Sequence, residues 1–295
     1  MSEGFGLDWL RLREAPDMRA RSRALARGFG AAVRRKAGDA PALLVDLGAG
    51  SGAGFRALAP LIPGDQEWRL VDHDAALLGH QAAEIAQWAR GQGLRVTHGS
   101  GVVTVATGNA HWRAHSVDRD LAAGLDALSL ASAHGVACAA LLDLVSEPWL
   151  RALAARLASA RVPFLAALSV DGRREWRPEH AEDARVAAAF ARHQRGDKGF
   201  GAALGPDAPT AARAVFAERG YGVMAAPADW RLDAGDDALL AALIDGDAGA
   251  ASASDPAAAA QIAGWRADRH AARAAGTLRL TVGHVDILAV ADERP

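Results

Sequence analysis

The sequence contains little of what marks secreted, membrane-bound or nucleic-acid-binding proteins. Cys138 is the single cysteine among 295 residues, which excludes an internal disulfide framework and favours a reducing compartment. No apolar run is long enough to span a bilayer, and the first residues lack the basic start and apolar core of a signal peptide. A formal net charge of −2 provides no general attraction for nucleic acid. We therefore expect a cytoplasmic protein that binds neither membranes nor nucleic acid.

Glycine, by contrast, is concentrated in one stretch around which we expect the chain to be organised. Residues 42–47 form a short apolar run that predicts a buried parallel strand, and residues 53–62 predict a helix. Glycines occupy every second position from Gly48 to Gly54. Because glycine lacks a Cβ atom, such a turn adopts positive φ and lets a ligand approach the backbone N–H groups at the helix start. The stretch predicts a binding site for a nucleotide-like ligand.

Two ligands fit this glycine turn. Read as Gly48-x-Gly50-x-x-Ala53, it satisfies the dinucleotide fingerprint, with Asp72 or Asp74 as the acid that binds the ribose. With a dinucleotide, however, Asp46 would lie beside an anionic pyrophosphate. S-adenosylmethionine (SAM) has no phosphate, and its sulfonium and ammonium groups suit a nearby carboxylate. The acid at position 46 therefore favours SAM.

The pattern Asp46-x-Gly48-x-Gly50-x-Gly52 resembles the first motif of class I SAM-dependent methyltransferases, and the resemblance covers residues 40–230 and the last strand. It implies an α/β fold with a Rossmann-like, doubly wound sheet of seven mostly parallel strands, the last of them antiparallel. In this family an acid after the second strand binds the ribose, and an acid after the third accepts a hydrogen bond from the adenine. We also expect an arginine of the N-terminal helix to reach the SAM carboxylate. The cofactor site expected on this basis comprises Asp46, Gly48, Ala49, Gly50, Gly52, Asp72, His73, Asp120, Leu121 and Arg21.

Neighbouring acids after these strands have different expected roles. Asp72 directly follows the apolar run of the second strand, so we assign the ribose contact to it. Asp74 is placed to cap the helix that follows. After the third strand, Asp120 followed by Leu121 matches the adenine pattern of the family better than Asp118.

Several stretches add to a minimal methyltransferase fold. Residues 101–117 predict a β-hairpin around Gly108 and Asn109. Pro16 predicts the start of a helix that runs to about residue 36. Two helices separated by a small-residue linker at 249–254 are expected to form a cap over the carboxyl ends of the strands. The expected units are an N-terminal helical segment (1–40), a SAM-binding domain (41–232), a helical cap (233–276) and a final strand (277–295).

Asp143 follows the fourth strand, at the position where the family places its fourth motif next to the transferred methyl group. Residues 143–148 lack the Asn/Asp-Pro-Pro-Tyr form of enzymes that methylate nucleic acid or protein glutamine, which disfavours those substrates. Asp143 is therefore a candidate for orienting or deprotonating a substrate. An acid that only caps the turn after the strand would leave the same pattern.

We expect the fifth strand to turn at Asp171 and Gly172 and a helix to follow it. The next segment is a loop at residues 193–205. Its mixture of polar side chains and glycines is typical of binding or gating loops, although an ordinary surface loop is the alternative. Lys198 could pair with an anionic group, and His193 titrates near neutral pH, so both join Asp143 as predicted catalytic residues. The histidine spacings match no metal signature, and we expect no metal.

Taken together, these features predict a bacterial SAM-dependent methyltransferase that acts on a small molecule at oxygen or nitrogen, as a monomer or homodimer. SAM brings its own electrophile, so the chain has to bind the cofactor and aim a nucleophile at its methyl group. Two alternatives stay open: an NAD(P)-dependent oxidoreductase that uses the same glycine turn, and a protein that binds SAM without transferring its methyl group.

Overall fold

The computed structural model describes residues 6–99, 101–126 and 128–292. The outermost parts of the predicted 1–40 and 277–295 units, residues 1–5 and 293–295, lie outside this description. The helices are α1 (Leu7–Ala20), α2 (Arg23–Ala37), α3 (Ala53–Leu58), α4 (Ala75–Gly91), α5 (Glu147–Ser159), α6 (Asp183–Gln194), α7 (Ala208–Ala217), α8 (Asp237–Ser254) and α9 (Ala259–Ala274). The strands are β1 (Ala42–Leu47), β2 (Gln66–Asp72), β3 (Arg95–Gly99), β4 (Val102–Ala106), β5 (His111–Asp118), β6 (Gly135–Ala139), β7 (Phe164–Arg177), β8 (Tyr221–Pro227), β9 (Trp230–Leu232) and β10 (Arg279–Ala291).

Within the described residues these strands form one ten-stranded sheet in the order β3-β4-β5-β2-β1-β6-β7-β10-β8, with β9 pairing beside β10. The central strands β5, β2, β1, β6 and β7 are parallel, and β10 runs antiparallel between β7 and β8. The mixed, Rossmann-like α/β sheet agrees with the sequence-based expectation, but the expected count of seven strands is too small. The difference arises because β3 and β4 extend one edge and β9 pairs with the first part of β10.

Helices cover both faces of the sheet. Along β1, Leu44 belongs to a core with Phe29 of α2 and Phe55 of α3, whereas Val45 and Leu47 belong to a second core that includes α5 and α7. Successive side chains of a strand point to opposite faces, so the two cores lie on opposite sides of the sheet. The carboxyl ends of the parallel strands, where open α/β sheets bind ligands, therefore meet at one edge between the two layers.

The N-terminal helix is divided in two, which corrects the helix predicted from Pro16 to about residue 36. Helix α1 already begins at Leu7 and continues through Pro16, and α2 begins at Arg23. The break has a physical cause, because the Ser22 side chain accepts a hydrogen bond from the N–H of Leu25 and caps α2. In addition, the N–H of Ser22 donates to a carboxylate oxygen of Asp286 at 2.7 Å.

Two predicted interruptions differ in the structure. The strand β7 does not end at Asp171 and Gly172 but continues to Arg177 beside β10. The predicted irregularity is present as a register shift between Val282 and His284, opposite Gly172, which has a φ of 85°. Residues 249–254, predicted as a linker, form the last turns of α8. Alanine dominates that stretch and favours helix, and Ala251 is fully buried.

The helices α6, α8 and α9 pack with β9 around the segment of β7 that extends past the end of β6. Their core contains Trp176 and Trp265, whose rings meet edge to face with centroids 5.6 Å apart. This cap therefore stands beyond the carboxyl end of β6. Among the helices of the described part of the chain, none has the length and apolarity needed to cross a membrane.

Candidate functional site

The glycine turn after β1 has the predicted left-handed backbone. Gly48, Gly50 and Gly52 have φ values of 67°, 52° and 83°. At Gly50 a side chain would be strained and would also meet α1, since a Cβ atom there would lie 3.0 Å from a methyl carbon of Leu10. The turn is fastened to β2, because the N–H of Ala49 donates to the carbonyl oxygen of Val71 at 2.9 Å. The backbone is thus held in a conformation that glycine favours.

Asp72 at the end of β2 organises this turn. Its Oδ2 accepts a hydrogen bond from the N–H of Gly50 at 2.7 Å, and its Oδ1 accepts from the N–H groups of His73 and Asp74. The side chain of Asp74 accepts from the N–H groups of Ala76 and Leu77, so its predicted capping role is confirmed. Asp72 is therefore the acid that directly contacts the glycine turn.

Asp46 is a buried carboxylate beside the same turn. The residue is 2% exposed, and its Oδ2 has no hydrogen-bond partner among the described residues. Burial raises the pKa of Asp46 to about 7; the charge of Arg21 opposes this shift and that of Asp72 adds to it. A Cβ atom at Gly54 would lie 2.2 Å from Asp46 Oδ2, so helix α3 approaches the carboxylate as closely as glycine allows. An acid in this state calls for a ligand that carries a hydrogen-bond donor.

Two further polar groups lie near Asp46 without partners in the described part of the chain. They are the Nε of Arg21, at the break between α1 and α2, and the Oδ1 of Asp143, just after β6. Burial raises the pKa of Asp143 to about 6, and a hydrogen bond from its own backbone together with the positive charge of Arg13 opposes the shift. The charges of Asp46, Arg21 and Asp143 all act on the thiol of Cys138 in β6. The structure thus places three predicted site residues close enough to Cys138 for their charges to act on it.

Cys138 itself is not equipped to react. Its thiol is buried, and burial together with the charges of Asp46 and Asp143 raises its pKa well above the usual value. A thiol held in the protonated form is a poor nucleophile. Cys138 therefore serves as a small packing residue of the strand, as its position in the sequence suggests.

Backbone strain marks the same edge of the sheet. Ala140, directly after β6, has a φ of 49°, and Leu168 in β7 has a φ of 57°. Non-glycine residues avoid this region, and such strain clusters at functional sites. The N–H of Leu168 donates to Oδ1 of Asp286 at 2.8 Å, while Oδ2 of Asp286 accepts from Ser22. Asp286, which the sequence analysis missed, therefore ties the start of α2 to the strand ends and positions Arg21.

The glycine turn is covered by α1. The Arg56 guanidinium is 2% exposed and donates to both carboxylate oxygens of Glu14 on α1, at 2.7 and 2.8 Å. It also donates to the carbonyl oxygen of Ser51 within the turn, at 2.7 Å. Arg56 thus joins the turn to the helix above it. An arginine in the short apolar helix after the glycine turn is the sequence signal that would have pointed to this contact.

Glu14→Gln is expected to destabilise the folded protein by about 1–3 kcal/mol, because the buried Arg56 charge loses its partner. Urea denaturation measures this change in the free energy of unfolding. Arg11→Gln is the matched control, since Arg11 forms the neighbouring α1 contact, to Glu84, with a side chain that is 52% exposed. That variant is expected to change stability by less than about 1 kcal/mol. Equal effects of the two substitutions would contradict the role given to Arg56.

Gln81 of α4 is a second residue that the sequence analysis missed. Its Nε2 donates to the carbonyl oxygen of Gly50 at 2.9 Å, and its Oε1 accepts from the hydroxyl of Ser116 at 2.6 Å. Only 1% of the residue is exposed. Gln81 therefore links the glycine turn to β5, and a buried polar residue on an otherwise apolar helix face would have been its signal.

The loop at 193–205 lies against the segment that follows β6. The N–H of Gly205 donates to the carbonyl oxygen of Asp143 at 2.9 Å, and Asp197 accepts from two backbone N–H groups of its own loop. Lys198 is half-buried, and His193 is exposed at the end of α6. Partial burial of the ring and the charge of Lys198 lower the pKa of His193. Their catalytic roles stay predictions.

Of the remaining cofactor candidates, Asp120 and His73 are exposed and Leu121 is buried. Asp120 is exposed, and its carboxylate accepts from the N–H of Ala122. Leu121 is buried, with a carbonyl oxygen that accepts from Nε1 of Trp149. The His73 side chain is 73% exposed. Contacts of these residues with an adenosine moiety stay predictions. In residues 6–99, 101–126 and 128–292, no group of three or more His, Cys, Asp or Glu side chains is arranged to hold a metal ion.

No protein-family model matches the sequence, and no curated protein sequence matches it. Its structural neighbours include a SAM-dependent methyltransferase. That enzyme, from Thiobacillus denitrificans in complex with S-adenosyl-L-homocysteine (SAH), is 16% identical, with a TM-score of 0.42, and the match covers 97% of this chain and 98% of the other. A cyclopropane synthase from Mycobacterium tuberculosis is 12% identical, with a TM-score of 0.42 and coverage of 97% and 86%. A phosphoethanolamine N-methyltransferase from Haemonchus contortus, solved with phosphomonomethylethanolamine and SAH, is 12% identical, with a TM-score of 0.42 and coverage of 99% and 60%. These likenesses are distant, and the site rests on the geometry of the chain itself.

Proposed function

We propose that this chain transfers a methyl group from SAM to a small molecule. The observation that carries the proposal is the unpartnered carboxylate of Asp46, buried beside a left-handed glycine turn and within reach of the Arg21 charge. The amino acid part of SAM carries an ammonium and a carboxylate, so it offers one opposite charge to each of these side chains. Asp72, fixed on the same turn, supplies the acceptor for ribose hydroxyls.

The residues present fit this cofactor, because the unpartnered buried atoms of Asp46 and Arg21 match its ammonium and carboxylate groups. When bound, SAM supplies a methyl group on a positive sulfur. The chain would supply binding and orientation through Asp46, Arg21 and Asp72, with Leu10 of α1 packed near the turn at Gly50. Asp143 at the end of β6 is placed to orient the acceptor, and the 193–205 loop, with His193 and Lys198, closes the substrate side.

An NAD(P)-dependent oxidoreductase is less well supported. A pyrophosphate on the glycine turn would add negative charge next to Asp46 and Asp72, and ionised groups of like charge repel strongly when buried. Among the described groups that act on the pKa of Asp46, Arg21 is the one with a positive charge. A site with more acids than bases suits a ligand of net positive charge, which SAM is and a dinucleotide is not.

Calorimetric titration with SAM, SAH, NAD and NADP tests the assignment. We expect micromolar dissociation constants for SAM and SAH and no heat of binding for the two dinucleotides. Formation of SAH from SAM in the presence of an acceptor then separates an enzyme from a protein that only binds the cofactor. Binding of NAD or NADP in place of SAM would overturn the interpretation of Asp46.

The affinity for SAH is expected to rise with pH, by about tenfold between pH 6 and pH 8. The raised pKa of about 7 means that free Asp46 is protonated at pH 6, and only the ionised form pairs with the ligand ammonium. The same shift makes protonated Asp46 stabilise the unliganded fold at low pH, and this contribution is lost as the pH rises through about 7. Asp46→Asn should flatten both profiles, measured by calorimetry and by urea denaturation. A variant with the wild-type pH dependence would show that another group titrates.

A further inference from the structure

Some of the charged side chains beneath α1 have partners within the described part of the protein, and others do not. Arg13 pairs with Asp17 at 2.9 Å, and Asp286 accepts from the backbone N–H groups of Ser22 and Leu168. These groups are therefore satisfied within the protein. Among the charged residues in this part of the described chain, Asp46, Arg21 and Asp143 have buried side-chain atoms without a partner; the neutral Nε1 of Trp9 and the hydroxyl of Ser169 are also unpartnered.

The proposed cofactor accounts for two of the three. Its ammonium and carboxylate match Asp46 and Arg21, which leaves the carboxylate of Asp143 without a counterpart. Asp143 is 9% exposed, and no described residue donates to its Oδ1. A buried carboxylate without a donor is costly, so the occupant of the acceptor site has to bring one. The residue lies three positions after Ala140, whose φ of 49° is unusual for a non-glycine residue.

We propose that the methyl acceptor is an amine, bound as its ammonium ion by Oδ1 of Asp143. This inference rests on the proposed function and narrows its substrate to a class. An ammonium group offers up to three N–H donors together with a positive charge that can pair directly with the Asp143 carboxylate. An alcohol offers one neutral donor, and a carboxylic acid would bring a second negative charge next to the first.

The same contact provides a route for the proton. The ammonium transfers one proton to Oδ1 of Asp143, which leaves a neutral amine and a carboxylic acid. The nitrogen lone pair then forms the new N–C bond as the C–S bond breaks, and the electrons of that bond stay on sulfur. The methylated product is an ammonium ion again, and Asp143 releases its proton to water when the site opens. Charge and atoms balance without a further reactant.

Fragment binding to the protein saturated with SAH tests the proposal without requiring turnover. The probes are butylamine, butanol and butyrate, which share a chain and differ in the head group, and binding is followed by ligand-observed NMR at pH 7.5. Butylamine is expected to bind at least about tenfold more tightly than butanol or butyrate. In Asp143→Asn this preference for the amine should disappear. Asp126→Asn is the matched control, because its carboxylate lies on the surface with a side chain that is 89% exposed, and it should retain the preference.

Failure of the amine proposal gives a different result from failure of the proposed function. If SAH does not bind at all, the proposed function fails before the acceptor is tested. If SAH binds but butanol or butyrate binds as well as butylamine, or no amine binds at millimolar concentration, the amine proposal is overturned and the proposed function stands. An unchanged amine preference in Asp143→Asn would also overturn it. The comparison of head groups on the wild-type protein decides the question even if the variant does not fold.

Discussion

Replacing Asp72 with alanine is expected to weaken the binding of SAM and SAH by about 30- to 150-fold, equivalent to about 2–3 kcal/mol. The loss has two sources. A ribose would lose a charged acceptor for its hydroxyl groups, and the N–H of Gly50 would lose the carboxylate that fixes the glycine turn. Calorimetric titration of the variant with SAH measures the change directly, independent of any substrate.

Asp74→Ala is the control for this prediction, because it removes an equal carboxylate two residues away. Asp74 caps α4, so its loss should lower the free energy of unfolding by about 0.5–2 kcal/mol. Its effect on SAH affinity should stay below about threefold. If Asp74→Ala weakened SAH binding as strongly as Asp72→Ala, the assignment of the ribose contact to Asp72 would be wrong.

Gly54→Ala is expected to lower the free energy of unfolding by about 2–3 kcal/mol and to reduce SAH affinity with it. The cause is space, since the new methyl group would lie 2.2 Å from Oδ2 and 2.9 Å from Cγ of the buried Asp46. The helix α3 or the carboxylate would have to move, and Asp46 belongs to the proposed cofactor site. Urea denaturation and calorimetric titration measure the two effects.

Gly79→Ala separates this clash from the general effect of alanine in a helix. Gly79 lies on the exposed face of α4, and a Cβ atom there would have open space around it. That substitution should be neutral or stabilise the protein by up to about 1 kcal/mol. Should Gly54→Ala also prove neutral, the contact between α3 and Asp46 would not be as close as described.

The features that could be predicted from the sequence are local ones. A strand, a glycine turn and a helix follow one another within 42–62, so their physics is contained in one short stretch. The capping role of Asp74 could be predicted for the same reason, since this residue directly precedes a helix. The mixed α/β architecture followed from the resemblance that these motifs carry.

The features that could not be predicted arise from contacts between distant parts of the chain. Glu14 and Arg56 are 42 residues apart, and Ser22 and Asp286 are 264 apart, so no local pattern identifies the partner in either pair. The continuation of β7 past Gly172 depends on its pairing with β10. Alanine-rich composition concealed the helical character of 249–254, because small residues are also common in linkers.

The tether at Asp286 has a consequence for the order in which the protein matures during its synthesis. The carboxylate of Asp286 in β10, the last strand of the described chain, accepts hydrogen bonds from both Ser22, near the beginning, and Leu168, near the middle. A nascent chain still lacking β10 would already contain the glycine turn and the first parallel strands. It would not yet hold the α1–α2 junction, and with it Arg21, against the strand ends. Under the proposed function, the cofactor site is therefore completed only after β10 has been synthesised and has paired with β7.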